Sequence, residues 1–273
     1  MSVFKINFKL QSIDKIQPFG EEPELSLSWF GLTDGLLWLD VGGRTVYEYD
    51  KAALKSAGAG AGAGAAYNDY YIARFIEDFF YTFGAVSESV PEELYDNAER
   101  FARDMERWED SRCDDDDESF KRFYLGEFSE LYEWYSERSF DSGHLVDGPD
   151  IGCFRCGDRL KIVWHSGIST DNGKSLWTAP DGSCETGYAD FVRAVKDFFA
   201  EFCAAMDEQV ERALLKEWGA VALDKRALKK ENSDRRAELS QKTEFLDGTD
   251  KATDWSSVLS LYAKMREQTA KTK

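Results

Sequence analysis

The sequence is poor in histidine and has no long apolar run. Only His144 and His165 occur in 273 residues, which leaves a Ser-His or Cys-His catalytic pair almost no general base to draw on. No stretch approaches the ~18 consecutive apolar residues that span a bilayer. G-x-S-x-G, H-E-x-x-H, Walker and dinucleotide-binding patterns are all missing, and with them the common signatures of hydrolases, zinc peptidases and nucleotide enzymes. The five cysteines are odd in number and irregularly spaced. They fit reduced thiols of a cytosol better than a disulfide framework. The opening MSVFKINFKLQ alternates Phe4, Ile6, Phe8 and Leu10 with polar residues, so it reads as a strand and not as a signal peptide. A cytoplasmic protein without a membrane segment is the expectation.

Basic charge is scarce as well. Lysine and arginine number 34 against 52 aspartates and glutamates, a formal net charge of −18. The imbalance is local: residues 65–140 hold 21 acidic and 8 basic side chains, whereas residues 219–273 hold 9 and 12. Phosphate backbones need a basic footprint, so nucleic acid is not expected as a direct ligand. Acidity of this size keeps a protein soluble and also favours encounter with basic partners; charge alone leaves both readings open.

Aromatic residues are plentiful, with 8 Trp, 12 Tyr and 19 Phe, a load suited to a packed interior. Period-two apolar spacing surrounds Thr33-Asp34-Gly35 within LSLSWFGLTDGLLWLDV, which predicts a hairpin turning at Asp-Gly. Gly42-Gly43-Arg44 then leads into a strand near Thr45–Tyr49. The Ala-Gly repeat of residues 57–66 reads as a flexible surface loop, native or engineered, with nothing functional placed on it. Ile72, Phe75, Ile76, Phe79, Phe80 and Phe83 form a helical stripe. Pro91-Glu92-Glu93 opens a second helix burying Leu94, Ala98, Phe101, Ala102, Met105 and Trp108, and a third is expected near Ser119–Arg138. Two hairpins follow, one at Gly157-Asp158 between Ile151–Arg155 and Leu160–Trp164, the other at Pro180-Asp181-Gly182 between Ser175–Thr178 and Ser183–Thr186. A long helix begins near Tyr188, and a charged, helix-prone segment follows Trp218. The order implies an α+β protein: one core domain over residues 1–218, in which antiparallel strands from the N-terminal and central segments join around amphipathic helices, and a helical extension over 219–273.

Candidate chemistry is thin. Cys153 and Cys156 form C-x-x-C, but Cys113, Cys184 and Cys203 are single and residues three apart point to opposite faces of a strand, so packed thiols are expected rather than a metal or redox pair. Asp114–Asp117 lacks the spacing and glycine of a calcium loop and reads as a solvated connection. Asp34 and Asp40 are candidate carboxylates, although a turn explains Asp34. The stretch from Arg138 through Asp141 and His144 to Asp147 concentrates polar groups between a helix end and a strand, where sites commonly lie; its Asp-Ser-Gly and Asp-Gly-Pro triplets also suit turns.

Trp29–Gly42 together with Asp141–His165 resembles a bacterial domain-of-unknown-function family that carries W-F-x-L-T-D-G and R-x-x-D-S-G-x-L segments before a Gly-Asp hairpin. Trp29, Phe30, Leu32, Thr33, Asp34 and Gly35 match the first segment, and Arg138, Asp141, Ser142, Gly143 and Leu145 the second. Gly157, Asp158 and Trp164 match the hairpin. The likeness spans roughly residues 3 to 215 and implies one domain without bringing an activity.

A non-catalytic protein of bacterial cytosol is therefore expected, an inhibitor, immunity-type or defence component that engages a basic protein through its acidic helices. Binding is assigned to Arg138, Asp141, His144 and Asp147 of the loop, Asp34 and Trp38 of the first hairpin, and Glu106 and Glu109 of the second helix. No cofactor or metal is expected. The alternative is a hydrolase or transferase using Asp34, Asp141 and His144, which requires those groups to converge in one pocket.

Overall fold

Alternating apolar residues build two antiparallel sheets, and the structure, a computed structural model, describes residues 3–21, 24–56, 66–110, 124–140, 142, 145, 148–166, 175–221 and 223–271. The first sheet consists of β1 (Phe4–Leu10), β2 (Asp34–Val41), β3 (Arg44–Val46) and β4 (Asn68–Tyr71), with β2 paired to each of the others. Gly42 and Gly43, both at positive φ, make the tight β2–β3 turn. The second sheet runs β5 (Ser139–Phe140), β6 (Asp150–Cys156), β7 (Arg159–His165) and β8 (Gly182–Gly187) in sequence order. The hairpin at Gly157-Asp158 joins β6 to β7, with Gly157 at positive φ.

Two other hairpins predicted from the sequence do not form. Leu25–Trp29 lies outside any strand, Gly31–Thr33 is a short 3-10 turn, and β2 starts at Asp34 with β1 as its neighbour. Gly35 serves close approach instead of a turn: a Cβ there would lie 2.5 Å from the Lys9 carbonyl and 3.0 Å from Ile72. Likewise β8 pairs with β7, while Trp177 bridges to Tyr49. Strands from the two segments thus form two separate sheets.

Helices cover the sheets. A short α1 (Lys51–Ser56) precedes α2 (Ile72–Ser87), whose apolar stripe is buried. The second predicted helix is broken at Asn97 into α3 (Glu92–Asp96) and α4 (Ala98–Asp110). A π-turn at Tyr124–Phe128 leads into α5 (Ser129–Ser136), inside the range of the predicted third helix, of which residues 119–123 lie outside the described residues; α6 (Tyr188–Leu215) starts where the periodicity places it. The charged C-terminal segment forms α7 (Lys225–Glu244) and α8 (Trp255–Lys271).

The second sheet is apolar on both faces because each meets a separate core. Ile151, Cys153, Leu160 and Ile162 join the core shared by the first sheet, α2 and α6. Phe154 and Val163 face the opposite way, into a core with α3, α4 and α5. The last two helices divide between these cores. Leu228 and Leu239 of α7 enter the first, and Val258, Tyr262 and Met265 of α8 enter the second. Asp224 caps α7 by accepting from the Arg226 and Ala227 amides at 3.0 and 2.9 Å. Trp29 fastens the same helix through its indole N–H to Asn232 Oδ1 at 2.9 Å.

Candidate functional site

The stripe that buries Phe75, Phe79 and Phe83 of α2 leaves Asp78 and Tyr81 on its flank. Opposite them, α5 buries Leu131 and Trp134 and turns Tyr132 outward. Between the two helices opens a cleft of about 400 Å³ whose inner end is formed by Tyr135, Phe140 and Asp150. Tyr81 is 81% exposed and Tyr132 49%, so aromatic faces stand at the mouth. The Tyr135 hydroxyl donates to Asp150 Oδ2 at 2.7 Å. Burial, and then the Asp150 charge, hold that phenol well above the usual range. A Cβ at Gly152 would lie 3.1 Å from the Phe154 ring and in ordinary contact with Tyr135 at 3.4 Å.

Asp78 is met by Arg74 at 3.1 Å along the same helix, a pair exposed at Arg74 and half-buried at Asp78. Serines and tyrosines complete the described lining, which contains no lysine, arginine, histidine or cysteine. Two carboxylates and the tyrosine rings suit a cation, through charge-assisted hydrogen bonds and contact with the ring faces, and Lys242 Nζ already stands 6.0 Å from the centre of the Tyr81 ring. Among the described residues no group of histidine, cysteine or carboxylate side chains is placed to hold a metal ion.

None of the predicted site residues whose side chains are described lines this cleft. Arg138 is fully buried, with its guanidinium 4.0 Å from the Trp134 ring and 3.5 Å from Glu88; it binds the protein to itself. Asp34 and Trp38 point to the outer face of the first sheet, where Trp38 stacks on Tyr67 at 4.2 Å. Asp40 on that face accepts from Asn7 at 2.8 Å. Burial, and secondarily the Asp69 charge, hold the Asp34 carboxyl above the usual carboxylate range, and burial does the same to Asp69. Glu106 and Glu109 lie on α4, with side chains outside the described set. Asp141, His144 and Asp147 lie outside the described residues, as do Cys113 and Asp114–Asp117. Cys153 is buried, its thiol pushed up to about 12 by burial and the nearby Asp150, whereas Cys156 is only half-buried at the end of β6.

Sequence reasoning missed Asp78, Tyr81, Tyr132 and Asp150. Tyr81 carried a usable signal, being a large aromatic residue off the apolar stripe. Tyr47 was missed too. It is the one non-glycine residue with positive φ (69°) among the described residues, and its hydroxyl lies 2.5 Å from Ser142 Oγ, which holds the Arg138–Asp150 connection to the first sheet.

No match is found among curated proteins or among solved structures. The model of a family of unknown function (DUF5984) matches residues 5–261, and the chain belongs to that family.

Proposed function

We propose that this is a non-catalytic binding protein of the bacterial cytosol, an inhibitor or immunity-type component of a defence system, that engages a basic protein partner. The observation that carries the reading is the cleft between α2 and α5, lined by tyrosines, serines and carboxylates with no basic side chain among the described lining residues. It belongs to the segment where acidic residues most outnumber basic ones, and a lysine or arginine side chain of a partner complements both its charge and its ring faces. Low-dielectric walls focus the field of the surrounding acidic helices on such a cleft.

Affinity capture from the native cell, repeated across a salt series and with a Tyr81→Ala/Asp78→Asn variant, tests the reading. The expected result is a partner with a basic contact surface, released by added salt and lost with the variant. Capture that is indifferent to both salt and the variant would sink it.

A further inference from the structure

We propose that the edge of β1 at Ile6–Phe8, with the groove between β1 and α6, docks an extended basic segment of a partner protein as an added strand. Among the described residues β1 ends the first sheet and pairs only with β2. The Gly42 amide bonds the Val3 carbonyl and the Gln11 amide bonds the Asp34 carbonyl, which fixes the alternation of the ladder. Lys5, Asn7 and Lys9 therefore bond β2, and Ile6 and Phe8 turn their main-chain N–H and C=O groups to the other edge.

Natural sheets cover such edges, and here the cover is partial. Past Leu10, Gln209 of α6 donates to the Gln11 carbonyl at 2.9 Å and Lys216 to the Ile13 carbonyl at 2.8 Å. Nearer the start of β1, Phe4 packs on Phe191 of α6 with ring centroids 5.1 Å apart, and beside that contact a groove of about 280 Å³ runs between Phe4–Ile6 and the Asp190–Glu201 flank of the helix.

Charge selects the occupant. The helix wall carries Asp190, Asp197 and Glu201 against Arg193, and Arg193 is paired with Asp190. Asp197 and Glu201 are exposed and form no ion pair among the described residues. The outer face of β1 has the opposite sign, with Lys5 and Lys9 exposed, and Lys5 also borders the groove, where the three carboxylates outnumber it and Arg193. Because strand side chains alternate between faces, the fitting segment is basic at every second position, on the helix side, and uncharged or acidic at the others. Main-chain bonds to an edge strand supply affinity and the alternate side chains supply choice. The surface is separate from the tyrosine cleft and does not depend on the reading given for it.

The test uses the full chain and two blocked octapeptides, alternating Lys-Thr and alternating Glu-Thr, with residue-resolved amide exchange. The Lys-Thr peptide is expected to slow exchange of the Ile6 and Phe8 amides at least tenfold, and the Glu-Thr peptide to leave them unchanged. Asp197→Lys/Glu201→Lys, both on the surface of α6, should cost at least tenfold in Lys-Thr affinity, while Tyr81→Ala should cost nothing. Absence of Lys-Thr binding, binding that leaves the Ile6 and Phe8 amides unprotected, or equal binding by the charge-reversed variant overturns the proposal. Loss of the peptide in Tyr81→Ala alone would move it to the cleft and overturn the proposal as well.

Discussion

Arg138 and Glu88 meet in the interior, guanidinium to carboxylate at 3.5 Å, and the same carboxylate receives the Thr253 amide at 2.8 Å and its hydroxyl at 2.7 Å. One acidic side chain at the end of α2 thereby neutralises a buried cation and fastens the connection that leads into α8. Burial lowers Arg138 to about 10, against the opposing pull of Glu88 and Glu137, so the guanidinium stays charged at neutral pH and needs its partner.

Glu88→Ala removes that partner and leaves the charge buried. Breaking one side of a buried pair costs about 3–5 kcal/mol, to be read from chemical denaturation. Thr253→Val, which keeps the branched shape and deletes the hydroxyl bond to the carboxylate, should cost less, about 1.5–3 kcal/mol.

Gly35→Ala tests what the Asp-Gly dipeptide is for. If Gly35 served a hairpin turn, alanine would act through backbone conformation; in the structure its φ is ordinary and the added methyl strikes the Lys9 carbonyl and Ile72. Overpacking of this kind costs about 1–3 kcal/mol, and the loss should show as a lower thermal midpoint.

Tyr47→Phe isolates the contact that ties the Arg138–Asp150 connection to the first sheet. Ser142 Oγ donates its proton to the Pro149 carbonyl at 2.8 Å, so the phenol is the donor to Ser142. Removing it should cost about 1 kcal/mol and speed amide exchange around Ser142, while the aromatic packing of the ring against Phe75 and Trp177 is kept.

Asp34 and Asp69 give a pH signature. Both carboxyls hold their protons more tightly folded than unfolded. Between the unfolded value of 3.8 and the higher folded values, the native state binds more protons. Their contribution to stability therefore grows as pH falls through the folded values and declines as pH rises. Asp69→Asn should move the Asp34 titration, followed by carbon NMR of the carboxyl, back toward 3.8 without reaching it, because burial is the larger cause. An unmoved Asp34 titration would show that the two charges do not interact.

Sequence periodicity alone gave β1, the apolar stripe of α2, the β6–β7 hairpin and the start of α6, because each is written in residues close together along the chain. The charged stretch after Trp218 read as helical, but its docking did not show, since α7 enters the first core through the widely spaced Leu228 and Leu239. Periodicity tells which face of an element is apolar and is silent about what covers it. Leu25–Trp29 illustrates the limit: its alternation buries Leu27 and Trp29 in the first core, yet its backbone pairs at Ser26 alone, in a single antiparallel bridge to Phe19, and builds no strand. The tertiary structure also reversed the standing of Arg138, whose charge suggested a surface contact until Glu88 and Trp134, 50 and 4 residues away, were seen to enclose it. The cleft has the same origin. Asp78, Tyr81, Tyr132 and Asp150 come from three separated segments, and the packing of α2 and α5 beside the second sheet is what makes a cavity of them. Composition and local pattern determined an acidic α+β protein; the meeting of distant surfaces decided which residues face solvent together, because burial and proximity depend on long-range packing that no local spacing encodes.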